Sequence, residues 1–536
     1  MPSERSPTVT ITDDPTAGAT EGLPPGRRVQ PDTAGGGRPL PAHADVVIVG
    51  SGFSGLATAI RLLQAGRPDF VVLERADDVG GTWRDNSYPG CACDVPSHLY
   101  SFSFAPNPAW SRSFSAQPEI YAYLRATARD FGVLPHVRFG AELLDARWDS
   151  AAQRWTVRTA RGSLTCRVLV LGTGPLSEPQ FPDIPGIDSF AGRLMHSARW
   201  DHDHDLTGER VAVVGTGASA IQFVPHVAER AAGLTVFQRT APWVLPRWDF
   251  PIRSVTRRVY AKVPALARAR RAGIYALRES WLVGFVLRPS IMRAAEKVAL
   301  ANLRRQLPDP TKRRTVTPHY RLGCKRVLLS NAYYPALAKP TVTVETDRIA
   351  AITPTGVVTT AQDGTRTEHP ADTIIFGTGF ATTNPPIAER VHGADGRSLA
   401  ERWRETGMAA LHGLTVAGFP NLCFLVGPNT GLGHTSIVYM SESQVAYVLD
   451  LLDQLDRRGL GSFQPRQDVQ DRYNDRLQQK LAGTVWNAGG CASWYLDAAG
   501  RNTTLWPTFT FRYRHQVRRA DLGEYVTEPA RVPLAA

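Results

Sequence analysis

Twice in this chain a short apolar run enters a glycine-rich turn and leaves it at helical spacing. The first copy is Asp45-Val-Val-Ile-Val49, then Gly50-Ser-Gly52-Phe53-Ser-Gly55, then an apolar helical pattern from Leu56 to Ala65. The second begins about 165 residues later, as Val211-Ala-Val-Val214 followed by Gly215-Thr216-Gly217-Ala218-Ser219-Ala220. A strand, a turn of this kind and a helix make the βα half of a dinucleotide-binding unit. The first glycine permits the tight turn, the second lets the backbone approach a pyrophosphate, and the third lets helix and strand pack closely. Free N–H groups and the helix dipole then favour the phosphates at the helix N-terminus. In the first copy the next strand, Phe70 to Leu73, ends at Glu74, an acid placed to accept hydrogen bonds from a ribose. In the second, Leu234 to Phe237 ends at Gln238-Arg239-Thr240, where a cation suits a 2′-phosphate. The fold class expected is therefore α/β, with two Rossmann-like dinucleotide-binding domains, and two such sites imply electrons passing from one nucleotide to another.

The stretch between them is organised too. A spaced constellation, Phe190-x-Gly192-x3-His196-x3-Trp200, leads directly into the second turn. Upstream, Gly80-Gly81-Thr82-Trp83 through Tyr88-Pro89-Gly90 to Asp94 reads as a long ordered loop wrapping the ring end of the first nucleotide. The bridge Asp201-His-Asp-His-Asp205 reads as an exposed linker in preference to a metal site. Residues 1–43, rich in Pro, Gly, Thr and Asp, are expected to be a disordered tail. Residues 44–187 form the first part of one nucleotide domain. Residues 188–371 form the second domain, with a helical insertion over 253–322. Residues 372–536 return to the first domain and end in a cap, so that Asp372-Thr-Ile-Ile-Phe376 is expected as a strand of the first sheet.

The net charge of +12 is local, because residues 253–314 carry sixteen Lys/Arg against three Asp/Glu. That removes the argument for nucleic acid and leaves three readings: a solvated basic face, steering of an anionic nucleotide, or, least favoured, contact with an anionic membrane near Trp281-Leu-Val-Gly-Phe-Val-Leu287. No apolar run reaches about 18 residues, so no membrane-spanning helix is expected. The six cysteines contain no CxxC pair, and they are expected as buried thiols of a protein of the reducing cytoplasm. Metal is not expected.

The Gly81-x-Trp83-x4-Tyr88-Pro89-Gly90-x3-Asp94 loop and the Phe190–Trp200 constellation resemble those of the class B flavin-dependent monooxygenases, and within them the type I Baeyer–Villiger monooxygenases. The resemblance spans roughly residues 45–515. Related N-oxidising enzymes usually carry Tyr or Phe where Trp200 stands; Asp201 replaces a Pro common in relatives.

The resemblance implies tightly bound FAD on the first site and NADPH on the second. It implies oxygenation of a small lipophilic, cyclic or aryl ketone by O₂ through a flavin C4a-peroxide, giving an ester or lactone. Arg326 would be the cation facing the peroxyanion, with Asp94 pairing to it; these two are the expected catalytic residues. The expected cofactor contacts are Gly50, Gly52, Phe53, Gly55, Glu74, Thr82, Trp83, Asp94 and Tyr100, with Gly215, Thr216, Gly217, Ala218, Ser219, Arg239, Thr240 and Lys325. His196 would organise domain motion and NADPH delivery. The alternatives are oxygenation of sulfur or nitrogen by the same chemistry, and a flavin-binding module without turnover. A disulfide reductase lacks its redox cysteine pair here.

Overall fold

The computed structural model describes residues 38–531. Most of the expected N-terminal tail lies outside that range. The first sheet contains β1 (His43–Val49), β2 (Phe70–Leu73), β3 (Val137–Arg138), β4 (Leu143–Asp149), β5 (Arg154–Thr159) and β6 (Gly162–Leu171). At its centre β1 lies parallel to both β2 and β6. Alternate residues of β1 enter different cores: Val46 and Ile48 on one face, Val47 and Val49 on the other. A strand buried on both faces reads as an unbroken apolar run, as this one does. Helix α1 (Phe53–Gln64) follows β1, and the short α2 (Thr82–Asp85) and longer α3 (Gln117–Asp130) follow β2.

The second sheet starts with β7 (Arg193–His196), β8 (Arg210–Val214), α4 (Ala220–Arg230) and β9 (Gly233–Phe237). The chain then forms β10 (Val244–Leu245) and runs out through α5 (Ser254–Lys262), α6 (Pro264–Ser280) and α7 (Met292–Gln306). It returns as β11 (Leu328–Leu329), parallel to β10, and β12 (Val342–Glu345) joins the second sheet beside β9. The antiparallel strands β13 (Arg348–Thr353), β14 (Gly356–Thr360) and β15 (Arg366–Pro370) come next, followed by β16 (Thr373–Phe376).

Here the structure corrects the sequence reading. Strand β16 lies between β7 and β8 in the second sheet, in the order β12-β9-β8-β16-β7, and is no part of the first. All four of its residues are buried. A uniformly buried tetrapeptide, three of its residues apolar, fits the middle of any parallel sheet, so composition could not decide between them. The chain re-enters the first sheet later, through β17 (Val391–His392) beside β4 and β18 (Leu422–Phe424) beside β6.

The two passages between sheets run side by side. Gln180 N donates to Gly379 O (3.0 Å), Ala381 N to Glu178 O (3.1 Å) and Thr378 Oγ1 to Gln180 O (2.6 Å). The insertion has its own core: Leu282 and Phe285 are buried with Trp243, Tyr320 and Trp486. The run Trp281–Leu287, the sequence's candidate for membrane contact, is therefore largely interior.

The two glycine turns share one device. Gly50 (φ +97°) abuts Gly172 at the end of β6, and Gly215 (φ +109°) abuts Gly377 at the end of β16. A Cβ on Gly50 would stand 2.8 Å from Gly172 O, and one on Gly215 2.6 Å from Gly377 O. Gly215→Ala should therefore destabilise the second domain by about 1–3 kcal/mol, through strain and overlap together. Thermal unfolding followed by circular dichroism should show a lowered Tm.

Candidate active site

Both helix N-termini at these turns are left open. Neither α1 nor α4 has a side-chain cap or an acid in its first turn. A Cβ on Gly52 would meet nothing nearer than Gly81 Cα at 3.7 Å, and one on Gly217 nothing nearer than Gly377 O at 3.9 Å. These glycines are not demanded by the protein's own packing. They keep space in front of uncapped N–H groups, which suits phosphates.

The first cradle continues through Glu74, which is buried at 4% exposure. Its carboxylate accepts from Ser51 N (3.0 Å), Ser51 Oγ (2.6 Å) and Ala76 N (3.0 Å), and pairs with Arg84 at 3.0 Å. Burial pushes the Glu74 carboxyl upward, but Arg84 and the Ser51 bonds outweigh it and hold the group below its usual range. Glu74 thus stays anionic, with its protein partners on both oxygens. Phe53 packs edge-on against Tyr100 (5.1 Å), whose hydroxyl accepts from Trp83 Nε1 (3.1 Å). Thr82 opens α2 beside them.

The loop from Gly80 to Asp94 is held from the other domain. Tyr88 OH donates to Gln222 Oε1 (3.0 Å), Ala92 N donates to the same oxygen (3.3 Å), and Gln222 Nε2 donates to Ala92 O (3.0 Å). Gly90 is in contact too, since a Cβ there would lie 2.6 Å from Gln222 O. Gln222 stands on α4, just past the second glycine turn. Sequence reading missed it, because a Gln in a helix carries no local sign of a partner 134 residues away.

At the end of this loop Asp94 meets Arg326. Arg326 Nε donates to Asp94 Oδ2 and Nη2 to Oδ1, both at 2.7 Å. The Asp94 charge raises the Arg326 pKa further above its normal range. Burial raises the Asp94 carboxyl, but Arg326 overrides it and keeps the group below the ordinary carboxylate range. The side chains keep 32% and 25% exposure, because the pair opens into a cleft.

Three further groups belong to this cleft. Arg278 of α6 donates from Nη2 to Asp94 O (2.5 Å) and lies over the Trp281 ring at 4.8 Å. His434 Nε2 is 3.2 Å from Glu279 Oε1, and Glu279 also accepts from Thr510 Oγ1 (2.7 Å). Arg278 Nε, His434 Nδ1 and Thr435 Oγ1 are buried without a protein partner, as is the hydroxyl of Tyr495. Such buried groups point to something they are meant to meet. Burial raises the Tyr495 hydroxyl to about 12. The signal that sequence offered for Arg278 was a charged pair, Arg278-Glu279, just ahead of the apolar run of the insertion.

The second cleft, about 480 Å³, is lined by Arg239, Thr240, Arg314, His319, Tyr320 and Lys325 among others, and by no acid. Burial and the Arg239 charge both lower the Lys325 pKa. Thr216 Oγ1 donates to Thr240 O (3.3 Å), joining the glycine turn to the edge of this cleft. Ala218 and Ser219 complete the approach to α4. A cleft so lined fits a phosphorylated nucleotide.

Cysteine requires a correction. Cys324 and Cys491 form a disulfide, with Cα atoms 6.2 Å apart across 167 residues of sequence. It ties the loop carrying Lys325 and Arg326 to the Gly490–Ala492 segment lining the same cleft. Cys91, Cys93, Cys166 and Cys423 are buried thiols, as expected. In the linker, Asp201 pairs with Arg193, and His204 contacts Glu209 and Thr373.

The chain matches the family model described as flavin-binding monooxygenase-like over residues 43–261. It is 52% identical over 496 residues to a Baeyer-Villiger monooxygenase of Streptomyces coelicolor, covering 92% of this chain and 95% of that one. It is 48% identical to a Baeyer-Villiger monooxygenase of Pseudomonas aeruginosa, covering 93% and 94%. Among solved structures it resembles OTEMO in complex with FAD and NADP, with TM-score 0.80 and 27% identity over 90% of this chain and 99% of that one.

The Gln222 clamp is open to test. Gln222→Ala removes three hydrogen bonds between the domains, each contributing about 0.5–1.5 kcal/mol. Hydrogen exchange at the Ala92 amide should accelerate by about tenfold or more, while amides of β1 keep their protection.

Proposed function

The chain belongs to the flavin-binding monooxygenases and, among them, to the Baeyer–Villiger monooxygenases; from that premise we propose that it converts a lipophilic ketone, O₂, NADPH and a proton into an ester or lactone, NADP⁺ and water, using Arg326 and Asp94. The observation that carries the residue assignment is the bidentate Asp94–Arg326 pair at 2.7 Å, facing a cleft with buried, unpartnered polar groups. FAD fits the first cradle, where Gly52 leaves room before the α1 N-terminus and Glu74, Trp83 and Tyr100 line the way to Asp94. When bound, it supplies the two-electron chemistry that activates O₂ at the expense of NADPH. NADPH fits the second cleft, with Arg239, Lys325 and Arg314 around its 2′-phosphate.

The residues of this chain do the rest. Arg326 is a cation at every working pH, so it can hold an oxygen that becomes anionic as the ketone carbonyl is attacked. Asp94 does not move a proton; anchored to Arg326 through two bonds, it fixes the plane of the guanidinium. Arg278 grips the backbone of Asp94 from the insertion, so that the pair is fixed from two elements. Trp281 and the buried ring of Tyr495 exclude water, and in a dry site a fixed positive charge stabilises an oxyanion far more than it would in solvent.

Arg326→Ala should keep FAD bound and still be reduced by NADPH, yet lose ester formation by about 100- to 1,000-fold. Rapid-mixing absorbance for the reduction, with mass spectrometry of product made under ¹⁸O₂, separates the two steps. Near-native ketone turnover would remove Arg326 from the mechanism. Arg239→Ala should raise the KM for NADPH about tenfold or more while leaving that for NADH nearly unchanged, because only the former carries the phosphate. Equal changes would contradict the placement of the 2′-phosphate.

A further inference from the structure

No residue from Leu245 to Gly273 is buried. This stretch holds eight Lys/Arg against a single acid, Asp249, and that acid is paired with Arg112 at 2.9 Å. Leu245 and Ile252 pack against core, but most of its large apolar side chains are exposed: Trp248 at 76%, Phe250 at 51%, Val255 at 66%, Val263 at 45% and Leu266 at 47%. Single exposed apolar residues are ordinary, but a run of them along one continuous stretch is not.

Helix α5 shows which way these residues face. At 3.6 residues per turn, Val255 and Val259 share a face with Arg258 and Lys262. Thr256, Arg257 and Tyr260 lie on the other side and are the half-buried members of the helix. Tyr260 packs edge-on against His98 at 5.2 Å. Amphipathic order is thus inverted, with polar Thr256 and Arg257 turned inward and valines outward. Helix α6 repeats the inversion. Its inward side carries Ile274, Arg278 and Glu279, all buried, and Arg271, which donates to His98 O at 2.9 Å. Leu266 and Leu277, three turns apart, stay 47% and 64% exposed, with Arg270 beside their stripe.

We propose that this face, formed by Trp248, Phe250 and the outward sides of α5 and α6, is a docking surface for an anionic lipid bilayer. Apolar side chains bordered by Lys and Arg match the two layers of a membrane interface: the apolar groups enter the acyl boundary, and the cations meet the headgroup phosphates. Among the described residues no helix is long and apolar enough to cross a membrane, so the contact is one of lying on the surface. A second copy is a poor occupant, because a two-fold contact would set Arg258, Lys262, Arg270 and the other outward cations against the same cations of the copy. The sequence favoured a solvated basic face here, and it placed any lipid contact at Trp281–Leu287, where Leu282 and Phe285 are in fact buried. What decides for the bilayer is the direction in which the valines and leucines point.

The test needs no turnover and is independent of the oxygenation chemistry. The full-length holoenzyme is floated with vesicles of phosphatidylcholine and phosphatidylglycerol in equal parts, and with vesicles of phosphatidylcholine alone. It should float with the anionic vesicles only, and less so as salt rises. Each Lys or Arg at such a surface contributes about fivefold to partitioning, so Arg258→Glu with Lys262→Glu should cut binding by about 25-fold or more. Val255→Ser with Val259→Ser should also reduce it, and brominated lipid should quench native fluorescence more than that of Trp248→Phe. All these residues are exposed, so thermal unfolding should be unchanged in each variant. Failure to float with either vesicle, or flotation indifferent to both double variants, would overturn the proposal. So would a concentration-dependent mass in solution that the valine substitutions abolish, since that would make the face a contact between copies.

Discussion

The bond between Asp94 and Arg326 joins two residues 232 positions apart, and it can form only when three parts of the chain are already in place. Asp94 ends the loop that leaves the first nucleotide cradle. Arg326 lies just before β11, where the chain comes back from the insertion. Arg278 reaches the Asp94 carbonyl from α6, inside the insertion itself. Beside the carboxylate–guanidinium pair stands a second guanidinium, that of Arg278, on the backbone of the same aspartate. An isolated cation there would be costly to bury. With Asp94 it becomes a fixed dipole whose positive end still opens into the cleft.

Local features of the sequence were legible, and those made by distant contacts were not. Both glycine turns could be read, because strand, turn and helix lie within about twenty residues and each glycine has a steric reason. The position of Arg239, at the edge of the second cleft, followed from the same geometry. The strand Thr373–Phe376 went to the wrong sheet, since four buried residues carry no mark of which parallel sheet they enter. Gln222 and the Cys324–Cys491 bond were invisible for a related reason: each acts across more than a hundred residues. The burial of Leu282 and Phe285 within Trp281–Leu287 agrees with lipid contact there being the least-favoured reading, while nothing in the basic sequence of α5 marked that its valines turn outward.

The excess of positive charge over residues 253–314 therefore divides by place. Arg278 serves the Asp94 cleft, and Arg314 joins Arg239 and Lys325 around the nucleotide cleft. Arg258, Lys262 and Arg270 face away from both. A single figure for net charge concealed three environments. Helix α6 links two of them, since within its seventeen residues the exposed Leu266 turn stands about 18 Å along the axis from Arg278 at the cleft.

The remaining constraint lies at the crossing between sheets. His196 ends β7 with 1% exposure, its Nδ1 accepting from Ala198 N at 3.1 Å. Its ring lies 5.3 Å from Phe181 and 6.0 Å from Phe380, one on each of the paired crossing segments. Burial lowers its pKa to about 4, so near neutral pH the imidazole is uncharged. Gly192, two residues after Phe190, has no room for a side chain beside Asp372 O, and Trp200 packs on Phe223 at 5.4 Å. The spaced constellation thus sets the seat of the strap between the domains, while Gln222 clamps the loop that leads to Asp94. Both act on how the two domains face each other, and the Asp94–Arg326 pair exists only where they meet.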